Sequence, residues 1–136
     1  MLKIVEHEKE ILAIIISNEY EESGIHFFTP EHFSQQLAFM KHPTGKKIKP
    51  HIHKMIEREV FYTQEVLFIK KGSLKVDIYT NDQQYIESHI LTQGDVIMLA
   101  AGGHGFEVLE ELQMIEVKQG PYVAEEDKIR FSESAV

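Results

Sequence analysis

The sequence predicts an all-β protein, a sandwich or barrel of short strands. Short β-branched and apolar runs recur along the 136 residues, and turn residues separate them at regular intervals. From Leu74 to Tyr79 apolar and polar side chains alternate, as in a strand with one face in water. No internal repeat and no Gly/Ser linker divides the chain, so we expect one domain spanning residues 1–136.

The N-terminal part, residues 1–44, is predicted to contribute the first strands. Residues 13–17 and 24–28 are rich in β-branched and aromatic side chains, and residues 35–40 form a third run of this kind. Polar segments separate these runs. Thr29-Pro30-Glu31 has the residue types that begin a helix, so we expect one short helical turn there.

The strand pattern becomes sharper from Glu65 onward. Residues 65–79 predict two strands joined by a hairpin turn at Lys71-Gly72. Four further strands are predicted over residues 85–91, 95–99, 106–109 and 112–118. The polar tail, residues 119–136, follows as a strap, in which residues 125–128 are expected to form a short helix.

Composition excludes several classes of site and partner. The chain has no cysteine, so a metal ion would need histidine and carboxylate ligands. Fourteen Lys plus Arg against 22 Asp plus Glu give a net charge of −8, which disfavours nucleic acid as a partner. No signal peptide and no apolar run of bilayer length is visible, so we expect a soluble cytoplasmic protein without membrane contact. One lysine cluster either protects a strand edge or attracts an anionic small molecule: Lys41, Lys46, Lys47, Lys49 and Lys54.

The first unit with chemical content is His51-Ile52-His53. On a strand, residues two apart point to the same face, so both imidazoles can reach one metal ion. Such a pair alone is weak evidence, because the chain has 8 histidines. The pattern of glycines and further candidate ligands around the pair strengthens the evidence for a metal site.

Two blocks of residues resemble the two motifs of the cupin superfamily. The first block contains Gly45, His51, His53, Glu65 and Gly72, and the second contains Gly94, Gly102 and His104. Together they span about residues 45–108. The sequence departs from the family pattern at four points: the longer His53–Glu65 spacing, Ala100 in place of proline, one residue fewer before His104, and Val108 in place of asparagine.

The long spacing after His53 leaves two glutamates as candidates for the fourth ligand. Glu57 has the family spacing from His53, whereas Glu65 has the family spacing to Gly72. Strand geometry fixes the distance between a ligand and the turn that follows, while a loop between strands lengthens at little cost. We therefore favour Glu65 and keep Glu57 as the alternative.

The resemblance implies a fold, a cofactor and a function. The fold would be a cupin-type double-stranded β-helix, or jelly-roll barrel, with short helical turns. One divalent metal ion, Fe, Mn, Ni, Co or Zn, would be held by His51, His53, Glu65 and His104, leaving coordination positions open. The resemblance therefore implies a metal-binding protein that acts on a small polar metabolite, such as a sugar or sugar nucleotide. The reaction would be isomerisation, epimerisation or dioxygenation. The alternatives are a non-catalytic binding module for a small ligand or a metal, and a metal-free sugar-nucleotide isomerase.

The sequence also predicts what surrounds the site. Tyr62, Phe106, Glu116 and Lys118 are expected to shape the pocket. The tail cations Lys128 and Arg130 either close over an anionic substrate or belong to a tail that packs on the barrel.

One face of the strand after Glu65 predicts a partner. Leu67 and Ile69 share the inward face with Glu65, so Val66 and Phe68 point the other way and need cover. Cupins commonly pair through such strands, and we expect a homodimer.

Overall fold

The computed structural model describes residues 1–132 and has an all-β architecture. Strands account for 48% of the residues and helix for 3%. The strands are β1 (Leu2–His7), β2 (Glu10–Ile16), β3 (Gly24–Phe27), β4 (Ala38–Lys41), β5 (Glu65–Tyr79), β6 (Tyr85–Thr92), β7 (Val96–Leu99) and β8 (Gly103–Lys118). A 3-10 helix, Ala124–Asp127, lies in the tail where the sequence predicts a short helix.

The chain divides into two compact units, which are described separately. The first contains residues 1–20 and 62–136, and the second contains residues 21–61. The single domain expected over residues 1–136 remains a prediction. No helix formed by residues 1–132 has the length and apolar composition that crossing a bilayer requires. The cytoplasmic location also remains a prediction.

The first unit is a six-stranded antiparallel sheet that curls into a half-barrel. Its strand order is β1-β2-β7-β5-β6, and β8 pairs with the other edge of β5. The N-terminal half of β5 pairs with β7, and its C-terminal half pairs with β6. This curled sheet is compatible with a jelly roll.

The largest cluster of buried side chains in the first unit lies on one face of this sheet. Leu67 and Ile69 on β5 are completely buried, together with Ile97 on the neighbouring β7. Burying an aliphatic side chain of this size contributes roughly 1.5–3 kcal/mol. The predicted inward face of residues 65–69 is therefore confirmed, and Glu65 lies on it.

β5 and β8 form a long two-stranded ribbon, which corrects the predicted hairpin at Lys71-Gly72. β5 is continuous from Glu65 to Tyr79, and β8 pairs with it along almost its whole length. Gly72 does not reverse the chain but bends it, with a φ of +93° that favours glycine. A Cβ atom at Gly72 would lie 2.0 Å from the carbonyl oxygen of Glu111, so the ribbon bends only because no side chain is present.

Two other strand predictions need correction. Residues 106–109 and 112–118 are one strand, because Glu110 pairs with Ser73 and continues the ladder instead of turning. The N-terminal strand β1 has no counterpart in the prediction, since its alternation is too polar and only its pairing with β2 identifies it.

The second unit contains a small sheet and a long non-regular segment. β3 and β4 pair antiparallel, with His26 opposite Phe39. The predicted helical turn at Thr29-Pro30-Glu31 is instead a turn closed by a hydrogen bond from the Phe33 amide to the Pro30 carbonyl, at 3.1 Å. Residues 46–61 have no regular secondary structure, so the strand expected to carry His51 and His53 does not form.

Candidate functional site

The bend in the β5–β8 ribbon brings together two residues from its opposite ends. Glu65 lies opposite Lys118 in the ladder, whereas His104 lies opposite Ile78. An extended strand rising about 3.3 Å per residue would hold positions 65 and 78 roughly 40 Å apart. Instead, His104 Nε2 lies 2.8 Å from Glu65 Oε1. The curl of the ribbon therefore creates this contact.

The sheet register determines which other groups surround Glu65. Leu99 and Lys118 lie directly opposite Glu65 on the two neighbouring strands. Glu116 lies opposite Leu67, so it is a diagonal neighbour of Glu65 on the same face. Glu65 hydrogen-bonds Glu116 as well as His104. Two carboxyl groups, an imidazole and an ammonium group thus share one face of the sheet.

The hydrogen bonds of this cluster shift its two carboxyl groups in opposite directions. The hydrogen bond from His104 is the main cause that lowers the pKa of Glu65 to about 2, against the opposing effect of burial, with smaller contributions from Glu116 and Lys118. The hydrogen bond with Glu65, burial and the Glu65 charge raise the pKa of Glu116, against the effects of Lys118 and Lys128. Glu65 is therefore the ionised member of the pair, and Glu116 is the member that holds a proton more readily.

These groups line a cavity in the first unit. Its volume is about 560 Å³, within the range of small-molecule sites. Glu65, His104, Phe106, Glu116 and Lys118 line it from the sheet, and residues 127–131 of the tail line another side. Phe106, Glu116 and Lys118 thus lie where the sequence predicted them.

The tail is attached to the sheet at two points beside the cavity. The Thr63 hydroxyl donates a hydrogen bond to Asp127 Oδ2 at 2.8 Å. The Phe131 ring packs edge-on against Tyr79, with ring centroids 5.0 Å apart. The tail packs on the first unit, as one of the two predicted alternatives states, and Lys128 and Arg130 line the cavity. Closure of these cations over an anionic substrate remains a prediction.

The structure separates the four predicted metal ligands into two pairs. Glu65 and His104 belong to the first unit, and His51 and His53 belong to the second. The His51 and His53 rings have centroids 5.2 Å apart, and both side chains are exposed. Glu57, the alternative ligand, is also an exposed residue of the second unit. Within either unit, the described residues contain no group of three or more side chains that would hold a metal ion.

The donor chemistry of both pairs fits a divalent first-row metal. Glu65 and His104 are half-buried and already lie at ligand-to-ligand distance. His51 Nδ1 lies 3.0 Å from the Lys49 carbonyl oxygen. Because a carbonyl accepts hydrogen bonds only, this contact selects the tautomer with a proton on Nδ1 and a free lone pair on Nε2, the form that binds metals.

Sequence reasoning missed some residues at this cavity and misplaced one. Tyr62 is 77% exposed and does not line it. Tyr79, Thr63 and Asp127 were not identified. The alternation at residues 74–79 places Tyr79 at the end of a strand, but its contact with Phe131 depends on the path of the tail.

Comparison with family models, with curated protein sequences and with solved structures gives no match to this chain. The cavity, its geometry and its residues therefore carry the functional interpretation.

Proposed function

We propose that this chain is a metal-binding protein of the cupin type that acts on a small polar metabolite, such as a sugar or sugar nucleotide. The ligands would be His51, His53, Glu65 and His104, with Glu57 as the alternative to Glu65. One observation carries the proposal: Glu65 and His104, two predicted ligands from opposite ends of the β5–β8 ribbon, lie 2.8 Å apart in a cavity of about 560 Å³.

The proposed ligand set supplies three imidazole nitrogens and one carboxylate oxygen. Such a set suits Fe, Mn, Ni, Co or Zn and leaves coordination positions for a substrate. A bound divalent ion would supply Lewis-acid polarisation of a substrate oxygen. The reaction would be isomerisation, epimerisation or dioxygenation, because each can take place on a small oxygenated molecule bound at such a metal centre.

The protein's own groups would position the substrate. Phe106 offers an apolar surface beside His104, with ring centroids 5.3 Å apart. Glu116 and Lys118 are two residues apart on β8, so they share the face of the strand that lines the cavity. They offer a hydrogen-bonding carboxyl group and a cation to a polar ligand. The tail residues 127–131 would border the bound substrate on another side.

A second candidate function has its own supporting observation. The contact between His104 Nε2 and Glu65 Oε1, at 2.8 Å, fixes the orientation of the imidazole, as in a general acid–base pair. Beside them, the hydrogen bond with Glu65 raises the pKa of Glu116, the second carboxyl group in the cavity. A metal-free isomerase would use these groups directly, and chelators would leave its activity unchanged.

The first experiment is metal analysis by plasma mass spectrometry of tag-free protein. Wild type is compared with His53→Ala, Glu65→Gln and Glu57→Gln, and with the control His89→Ala, whose imidazole is paired with Glu87. We expect close to one metal ion per chain in wild type, Glu57→Gln and the control, and loss of the metal in the other two.

Three results would change the proposal in different ways. Loss of metal in Glu57→Gln rather than in Glu65→Gln would make Glu57 the fourth ligand. Wild-type protein that neither contains metal nor takes up Fe, Mn, Ni, Co or Zn would overturn the metal site and leave the metal-free isomerase. Metal retained with no turnover of any sugar or sugar nucleotide would favour the binding module.

A further inference from the structure

The charges that line the cavity are not equally neutralised. Glu65 is paired with His104, Asp127 accepts the Thr63 hydroxyl, and Glu116 hydrogen-bonds Glu65. Arg130 lines the cavity but forms a two-contact ion pair with Glu125, at 2.8 and 3.2 Å. Each of these groups therefore already has a protein partner.

Lys118 and Lys128 are different. Both line the cavity, and among residues 1–132 neither has a carboxylate within 4.0 Å of its ammonium nitrogen. Lys118 Nζ lies only over the ring of Tyr122, 6.0 Å from its centroid. Lys118 lines the cavity from the end of β8, and Lys128 lines it from the tail. Two lysines that form no ion pair within 4.0 Å among residues 1–132 thus line one small cavity in a chain of net charge −8.

We infer that the cavity binds a small molecule carrying a phosphate or carboxylate group, which Lys118 and Lys128 hold. Ammonium groups form charge-assisted hydrogen bonds with such oxyanions, and these bonds are stronger than those between neutral groups. The anionic group would lie on the Lys118 and Lys128 side of Glu116, and the remainder of the molecule would extend toward His104 and Phe106. This inference depends on the proposed function only in treating the cavity as the substrate site.

The two lysines come from different structural elements, which matters for binding. Lys118 ends β8 and is fixed by its pairing with Glu65 in the sheet. Lys128 follows the 3-10 helix, none of whose residues is buried. An anion held by both would connect the tail to the sheet, in addition to the Thr63–Asp127 hydrogen bond and the Phe131–Tyr79 contact.

The test is a titration of metal-free, ¹⁵N-labelled protein with inorganic phosphate, followed by amide chemical shifts at pH 7 and constant ionic strength. A second arm uses malonate and a third uses neutral glycerol. We expect saturable shifts at the amides of Gly103, Gly105 and the tail with phosphate or malonate, and none with glycerol. The anion that binds more tightly, phosphate or malonate, identifies the kind of oxyanion that the cavity prefers.

Lysine variants decide whether these two side chains form the site. Lys118→Met and Lys128→Met should each weaken binding by about fivefold or more, since a hydrogen bond between charged groups contributes more than about 1 kcal/mol. Lys71→Met, which removes an exposed lysine outside the cavity, should leave binding unchanged. Lys128 is exposed in the tail, so its replacement does not disturb the sheet.

The outcomes separate this inference from the proposed function. Absence of saturable shifts with both anions, or equal binding in wild type, Lys118→Met and Lys128→Met, would overturn the anion site even if the protein holds metal. Anion binding that is lost in both variants would support the anion site even if metal analysis finds no metal in the protein.

Discussion

Replacing Gly72 by alanine tests whether the bend in the β5–β8 ribbon makes the site. Alanine at a φ of +93° is in the left-handed region, which costs about 1–2 kcal/mol. Its Cβ atom would also lie 2.0 Å from the Glu111 carbonyl oxygen, so backbone atoms must move. Overpacking of this kind costs about 1–3 kcal/mol. We expect Gly72→Ala to lower the free energy of unfolding by about 2–5 kcal/mol.

Two other glycines separate backbone strain from steric overlap. Gly45 has nearly the same φ, +89°, with no atom near its Cβ position, so Gly45→Ala should cost about 1–2 kcal/mol from strain alone. Gly105 has no positive φ, and its Cβ would meet Tyr79 at an ordinary 3.9 Å, so Gly105→Ala should change stability by less than about 0.5 kcal/mol.

The assay is urea denaturation followed by circular dichroism, with an amide spectrum of each variant. In Gly72→Ala, the amide shifts of Glu65 and His104 should change, because the bend no longer holds the ribbon ends together. If Gly72→Ala is as stable as Gly45→Ala and leaves those shifts unchanged, the close packing of Gly72 on Glu111 does not create the site.

Three further predictions concern charge, assembly and the tail. The pKa of Glu65 is lowered from 4.5 to about 2, so its stabilisation is complete above pH 4.5 and is lost as the pH falls toward 2. Discounted for solvent screening, the contribution of ionised Glu65 to the free energy of unfolding is about 1–2 kcal/mol at pH 7. It is measured by urea denaturation of metal-free wild type and Glu65→Gln. A difference in stability between the two that does not shrink from pH 4.5 to pH 2 would contradict the prediction. Light scattering at micromolar concentration should give the mass of two chains for wild type and of one chain for Phe68→Lys. The reason is that Phe68 is 40% exposed on the apolar outer face of β5. A wild-type mass of one chain would exclude the homodimer. Phe131→Ala removes the contact with Tyr79 and should speed tryptic cleavage at Lys128, whereas an unchanged cleavage rate would mean that this contact does not hold the tail.

The inward face of β5 was predictable because strand alternation is a local property. Glu65, Leu67 and Ile69 share one face in the sequence pattern, and in the sheet Leu67 and Ile69 are fully buried beside Glu65. The argument from the Glu65–Gly72 spacing assumed a hairpin turn at Gly72, and that turn does not form. Local pattern therefore identified the carboxylate that lies beside His104.

The continuous path of β5 was not predictable, because a glycine with positive φ occurs in a hairpin turn and in a bent strand alike. The choice between them depends on the pairing of β5 with β8, which joins distant parts of the chain. Glu110 and Glu111 have the polar character of a turn for the same reason, although they lie within β8.

The hydrogen bond between Glu65 and Glu116 could not be predicted either. It depends on the register that sets Glu116 opposite Leu67, and a shift of one residue would move Glu116 to the other face. Sequence pattern identified Glu116 as a pocket residue, but only the register makes it a partner of Glu65.

The pairing of β5 with β8 also covers one edge of β5. β1 with β2, and β5 with β6, join neighbours in sequence through short loops, whereas β8 reaches β5 from a distant part of the chain. β8 is synthesised later, and until Lys118 has been made one edge of β5 has no partner. That edge belongs to a strand bearing Val66 and Phe68, which is the kind of unprotected edge that pairs with other chains. Chains truncated before β8 should therefore aggregate, because β8 is the strand that covers this edge of β5.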